Sequence, residues 1–201
     1  MIDVTTTTDP IFESAHSAAL FAHRFSTEQY GRSAMSRMMT GPTGTGKGLA
    51  GIDGAGQAGM IRRLVQGLGP LHEAIIVARF SPREMDCACG SACCSGKFNN
   101  LEWAAAVRKI GEFSITATPC AVSNLRLRCG VVAKHFGIPL NIGELADQCE
   151  VHRNTASKHA SLILAWLRGK PAKGQHPAVT GEEAKALMGL HDVLQAARLV
   201  P

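Results

Sequence analysis

Several features are missing from this chain of 201 residues, and each absence removes a class of protein. No uninterrupted apolar run approaches the roughly 20 residues that a bilayer-spanning helix needs, so no membrane partner is expected. The opening stretch MIDVTTTTDP has neither the basic nor the apolar part of a secretion signal, which makes a cytoplasmic location the expectation. The marks of an enzyme are also absent: no paired carboxylates at a metal-binding spacing, no nucleophile beside a base and no complete phosphate loop. Gly41-Pro-Thr-Gly-Thr-Gly46-Lys47 has the spacing of such a loop, but Gly48 stands where a magnesium-binding hydroxyl belongs and no strand launches it. Gly54-Ala-Gly56-Gln-Ala-Gly59 has dinucleotide-loop spacing without a leading strand, and reads as a flexible lead-in to a helix from Met60 to Leu68, with close helix packing at the glycines as a further option.

An apolar fraction of 45% is enough for a real core, in one compact domain or two small ones. The cysteines number seven, an odd and clustered set that points to metal in a reducing compartment more than to a secreted disulfide framework. Cys87, Cys89, Cys93 and Cys94 offer four thiolates, the set a tetrahedral structural zinc ion takes, while Gly90 and Gly96 permit the turns so short a loop requires. A disulfide, buried free thiols or iron-sulfur chemistry are the alternatives. Cys120, Cys129 and Cys149 read as small core residues.

Periodicity makes the chain mainly α. A helix over 12–25 carries Phe12, Ala15, Ala18, Ala19, Ala22 and Phe25, and a Gly-rich linker follows, so 1–59 forms an N-terminal helix with its linker. Residues 60–119 form a helical unit stapled by the cysteine loop, with helices over 71–80 and Leu101–Ile110 on either side. Residues 120–176 form a trihelical unit, and 177–201 a last helix, capped by Thr180 and Glu183, that covers the core or makes a homodimer contact.

In the third unit a helix from Ser123 or Asn124 carries Leu125, Cys129, Val132 and Phe136, and stops at Gly137 and Pro139. Asn141 caps a short helix with Ile142, Leu145, Ala146 and Cys149 on its apolar side; Glu150-Val151-His152 form a turn, and a longer helix starts near Arg153 with Ala156, Ala160, Ile163 and Leu167 facing inward. Its outward leading residues, Arg153, Asn154, Ser157 and Lys158, suit the donor and acceptor pattern of a major groove, and His152 and Thr155 suit phosphate. Lys170 and Lys173 read as a basic arm along a phosphate track. Between 124 and 176 the basic residues at 126, 128, 134, 153, 158, 168, 170 and 173 outweigh Glu144, Asp147 and Glu150 by +5, the formal net charge of the whole chain.

The segment Ala146 to Ala160 resembles the helix-turn-helix of bacterial and phage transcription regulators, including region-four-like modules of sigma factors and some phage antiterminators, although Glu150 occupies the turn position where glycine is commonest. The cysteine loop beside a helical unit is similar in arrangement to metal-containing phage late-gene antiterminators, with a ligand spacing of its own. The resemblance implies that the second helix reads the major groove through Arg153, Asn154, Ser157 and Lys158. The expectation is therefore a non-enzymatic, sequence-specific regulator of transcription that binds double-stranded DNA and acts on RNA polymerase recruitment or progression. A nucleic-acid-processing enzyme that uses the same helices for docking, or a zinc-stabilised protein adaptor, is the alternative.

Overall fold

A computed structural model describes residues 10–30, 51–87, 89, 94–117, 124–172 and 177–201. The phosphate-loop-like stretch 41–47, Cys93, Cys120 and Lys173 lie outside the described residues. In chain order the elements are α1 (Ala15–Tyr30), α2 (Gly51–Gln66), α3 (Pro70–Phe80), β1 (Glu84–Asp86), β2 (Lys97–Asn99), α4 (Leu101–Phe113) running into a 3-10 turn (Ser114–Ala117), α5 (Leu125–His135), α6 (Ile142–Gln148), α7 (Arg153–Arg168), β3 (Gly169–Lys170), β4 (Val179–Thr180) and α8 (Glu182–Ala196). The fold is mainly helical, as the periodicity predicts.

Helix α3 is the hub. Pro70 opens it, where a missing N–H costs nothing, and Ala74, Ile75, Ile76, Val77, Ala78 and Phe80 are all buried. A helix apolar nearly all round needs neighbours on every side, and α1, α2, α4 and α8 supply them. Eleven residues form only a marginal helix in water, so this burial, about 1.5–3 kcal/mol for each fully enclosed Ile or Phe, holds it together.

Helix α2 departs from expectation, because it starts at Gly51 and passes straight through the glycine-rich lead-in. Gly54, Ala58, Ile61 and Val65 form its buried stripe, and small residues there let α2 approach the alanines of α1. The dinucleotide-loop spacing therefore lies inside a helix. Close packing is also not the reason for Gly56 and Gly59, which are exposed and have nothing within 4 Å of an added Cβ.

Helix α5 buries two residues of the expected stripe, Val132 and Phe136, but its enclosed face extends further round than periodicity suggests. Leu127, Arg128, Val131 and Val132 are enclosed, while Leu125 and Cys129 are only half-buried. The Arg128 guanidinium donates from Nε to Gly111 O at 2.9 Å, so this cation, counted above toward the positive segment, points into the protein. A methyl group on Gly130 would meet Leu145 Cδ2 at 2.5 Å, which makes Gly130 the close-approach residue between α5 and α6. The helix ends as expected at Gly137, whose φ of 97° lets Ile138 N–H reach Ala133 O at 3.0 Å.

Thr180 and Glu183 do not form a capping box. Thr180 pairs with Gly169 in the β3–β4 ladder and Gly181 is the N-cap. Glu183 turns inward instead, accepting from His135 Nε2 at 2.7 Å. Ala186, Leu190 and Leu194 cover the core, and the tail returns to the first helix through Phe12 N–H to Leu199 O at 3.0 Å.

Two stability predictions follow from this packing. Gly56→Ala and Gly59→Ala should each raise stability by about 0.5–1 kcal/mol, since each removes backbone entropy at an open helical site; chemical denaturation of the single and double variants measures it. His23 is 3% exposed and its Nδ1 faces Ser81 Oγ at 3.3 Å and Arg62 Nη2 at 3.5 Å. Burial first, then the Arg62 charge, lowers its pKa from 6.5 to about 4, against a smaller opposing pull from Glu102. The unfolded chain then takes up a proton that the folded one refuses. Stability should fall by about 3 kcal/mol as pH drops from 6.5 to 4, and His23→Gln should flatten that window in pH-dependent denaturation curves.

Candidate metal centre and exposed helix face

The chain between α3 and α4 was expected to be a bare loop, and it is a β-hairpin. Glu84, Met85 and Asp86 pair antiparallel with Asn99, Phe98 and Lys97. Two more backbone bonds extend the ladder, Asn100 N–H to Arg83 O at 2.9 Å and Cys87 N–H to Gly96 O at 2.8 Å. Three-residue strands have too little alternation to stand out in sequence. Asn100 ties the hairpin to the body: its Nδ2 donates to Pro82 O at 2.7 Å, and its Oδ1 accepts from Glu102 N–H at 2.9 Å, capping α4. An Asn directly before Leu101-Glu102 is a helix-start signal that the sequence reading passed over. Trp103 then locks α4 onto α3, its Nε1 donating to Ala78 O at 3.0 Å.

The hairpin carries its cysteines at the tip. The Sγ atoms of Cys87, Cys89 and Cys94 all lie within 4.8 Å of one another. Around a tetrahedral ion with metal–sulfur bonds of about 2.3 Å, sulfur atoms sit roughly 3.8 Å apart, so only a small contraction separates this cluster from a closed shell. None of the three is in a disulfide, and Cys94 Sγ accepts from Gly96 N–H at 3.4 Å. That bond favours the thiolate, but the neighbouring Cys89 and Cys87 thiols outweigh it and push the Cys94 pKa up. A cation held among the three sulfur atoms favours the thiolate instead. Three of the four expected ligands are thus brought together, and the fourth, Cys93, lies outside the described residues. Cys149 is buried and Cys129 half-buried, away from any such cluster, as core cysteines should be.

The second feature is the face presented by α7. Asn124 caps α5 through Leu127 N–H at 3.0 Å and also donates from Nδ2 to Cys149 O at 3.0 Å, fixing the end of α6. The turn after α6 repeats the geometry seen at Gly137: Val151 N–H reaches back to Ala146 O at 3.0 Å across Glu150, whose φ is 55°. A glutamate therefore occupies the left-handed position that favours glycine, at a cost of about 1 kcal/mol. Val151 is half-buried against the core. Asn141 Oδ1 accepts from Gly143 N–H at 2.8 Å at the start of α6, and His152 Nδ1 accepts from Asn154 N–H at 3.3 Å at the start of α7.

Ala156, Ala160, Ile163 and Leu167 are buried, the inward stripe that spacing predicts. Opposite them His152, Arg153, Asn154, Thr155, Ser157 and Lys158 are all exposed, and Lys170 is exposed on β3. One partner was missed. Asp147, on α6, takes two donors from Arg153, Nη2 to Oδ2 at 2.7 Å and Nε to Oδ1 at 3.3 Å. This hydrogen bonding lowers the Asp147 pKa and raises that of Arg153, so both remain charged. An acid and a base on either side of a tight turn were the available signal. The pair leaves the Nη1 edge of Arg153 for other partners. The positive surface is thinner than the charge count implies by Arg128, which is buried, while Arg126, donating to Gln148 O at 3.3 Å, and Arg168, donating to His135 Nδ1 at 3.2 Å, stay exposed.

No helix among the described residues is long and apolar enough to cross a membrane. No protein-family model, curated protein or solved structure matches the chain.

Chelation provides the direct check on the hairpin. Protein purified under reducing conditions should carry a bound metal ion by elemental analysis, and a strong chelator should lower its melting temperature. Cys87→Ser, Cys89→Ser and Cys94→Ser should each reduce occupancy. Metal-free protein with unchanged melting in all three variants would overturn the site.

Proposed function

We propose that the chain is a sequence-specific double-stranded DNA-binding regulator of transcription, with α6 and α7 acting as a helix-turn-helix and α7 entering the major groove. The observation that carries this reading is the leading end of α7: six exposed hydrogen-bonding residues, His152 to Thr155 with Ser157 and Lys158, backed by a buried apolar stripe. Arg153 and Lys158 offer donors to guanine, and Asn154 offers the donor and acceptor pair that adenine matches. His152 and Thr155, at the start of the helix, suit phosphate, and Lys170 with Lys173 extends the backbone contact. Asp147 holds the Nε and Nη2 donors of the Arg153 guanidinium and leaves those of Nη1 for a base. Binding through these residues involves no turnover, and the expected action is on RNA polymerase recruitment or progression, as in the phage regulators and antiterminators that the helix pair resembles.

In the same reading the hairpin holds a structural zinc ion through Cys87, Cys89, Cys94 and Cys93. Four thiolates close a tetrahedral shell and leave no position for activated water, so the ion's contribution is to order the tip of a hairpin with little core of its own.

The test uses the full-length protein. Duplex affinity should fall steeply with salt, and Arg153→Ala or Asn154→Ala should cost about 1–3 kcal/mol at preferred sites while barely changing weak ones. Lys170→Ala should weaken all duplexes alike and make the salt dependence shallower by about one unit of slope. Footprinting and a salt series of binding isotherms measure both. Equal affinity for every sequence, unaffected by changes at Arg153, Asn154, Ser157 and Lys158, sinks the reading, and multiple-turnover cleavage of nucleic acid would move it to an enzyme.

A further inference from the structure

A groove of about 730 Å³ lies between the base of the cysteine hairpin, the end of α3 and the segment that follows α5. It is large enough for a small-molecule ligand, the usual range being roughly 300–1,000 Å³. Three arginines line it from three separate parts of the chain: Arg24 from α1, Arg79 from α3 and Arg83 from the start of the hairpin. The carboxylate in the lining is Glu84, which already has Lys97 Nζ at 3.6 Å. Arg79 is answered from outside the groove by Glu183, with Nε 3.4 Å from Oε1, an ion pair that lacks hydrogen-bond geometry. Arg83 donates from Nη1 to Gly137 O. A guanidinium has five N–H donors, so each of these contacts leaves donors of Arg79 and Arg83 unused. Trp103 and Phe136 supply apolar walls, which weaken the screening of charge inside.

The three arginines outnumber the one carboxylate of the lining, and the fork of a guanidinium matches phosphate oxygens in spacing and direction. We infer that this groove binds a phosphate group through Arg24, Arg79 and Arg83. The inference does not depend on the reading of α7. The phosphate can belong to a small phosphorylated molecule or to a nucleic-acid backbone, and the chemistry of recognition is shared.

Trp103 reports on the groove directly. The chain has two tryptophans, so Trp166→Phe leaves Trp103 as the sole emitter. Titrating that full-length protein with pyrophosphate should change its emission saturably, and Arg83→Gln or Arg24→Gln should weaken the response about tenfold. Arg24→Gln lies away from the contact with Gly137 and decides the matter if Arg83→Gln fails to fold. A short DNA duplex that displaces pyrophosphate identifies the ligand as backbone phosphate, and one that binds alongside it identifies a free phosphorylated molecule. The inference is overturned if pyrophosphate causes no saturable change, if sodium chloride at equal ionic strength causes the same change, or if neither arginine substitution weakens it.

Discussion

The carboxylate of Glu183 ties four helices together. It sits at the start of α8, accepts from His135 of α5 at 2.7 Å and faces Arg79 of α3, while Arg168 of α7 donates to the other nitrogen of the same imidazole at 3.2 Å. Arginine can only donate, so Nδ1 of His135 accepts and its Nε2–H is directed at Glu183. The tautomer is set by the network. The His135 hydrogen bond, helped by the Arg79 and Arg168 charges, outweighs burial and lowers the Glu183 pKa, which keeps the carboxylate ionised where an unpaired one would be costly. Glu182 repeats the arrangement toward α3, accepting from His72 at 3.2 Å and Lys185 at 2.7 Å. With these contacts α8 bridges the hub helix and the helix that presents the exposed face.

Both candidate sites are surface features whose geometry is held from beneath. The cysteine cluster projects from a hairpin whose two short strands would be unstable alone, and whose base is held by the two side-chain bonds of Asn100. The exposed residues of α7 are aimed by a helix that is buried on its other side and started by a strained turn. Glu150 keeps its left-handed backbone because Val151 N–H and Glu150 N–H both find carbonyls of α6 there, Ala146 O at 3.0 Å and Asp147 O at 3.2 Å. Three helix ends close in this way, at Gly137, Glu150 and Arg198, and only the first uses glycine.

By itself the sequence determined the local elements. Helices α3, α4, α6 and α7, the buried stripe of α7, the stop at Gly137 and the core placement of Cys149 follow from period, caps and breakers, which act over a few residues. The cysteine spacing likewise announced a cluster, because ligands so close in the chain need only a turn to meet.

Tertiary structure alone decided what depends on distant partners. Gly51 to Gly59 became helix because α1 offered an alanine face for Gly54 and Ala58 to approach. Arg128 was enclosed because Gly111 O, 17 residues away, could satisfy it, and Glu183 left its expected cap because His135, 48 residues away, could reach it. The base of the hairpin was closed because Asn100 Nδ2 could reach Pro82 O, 18 residues away. In each case a long-range hydrogen bond or close approach outweighed a local preference of about 1 kcal/mol, and nothing in the neighbouring sequence encodes where the partner will stand.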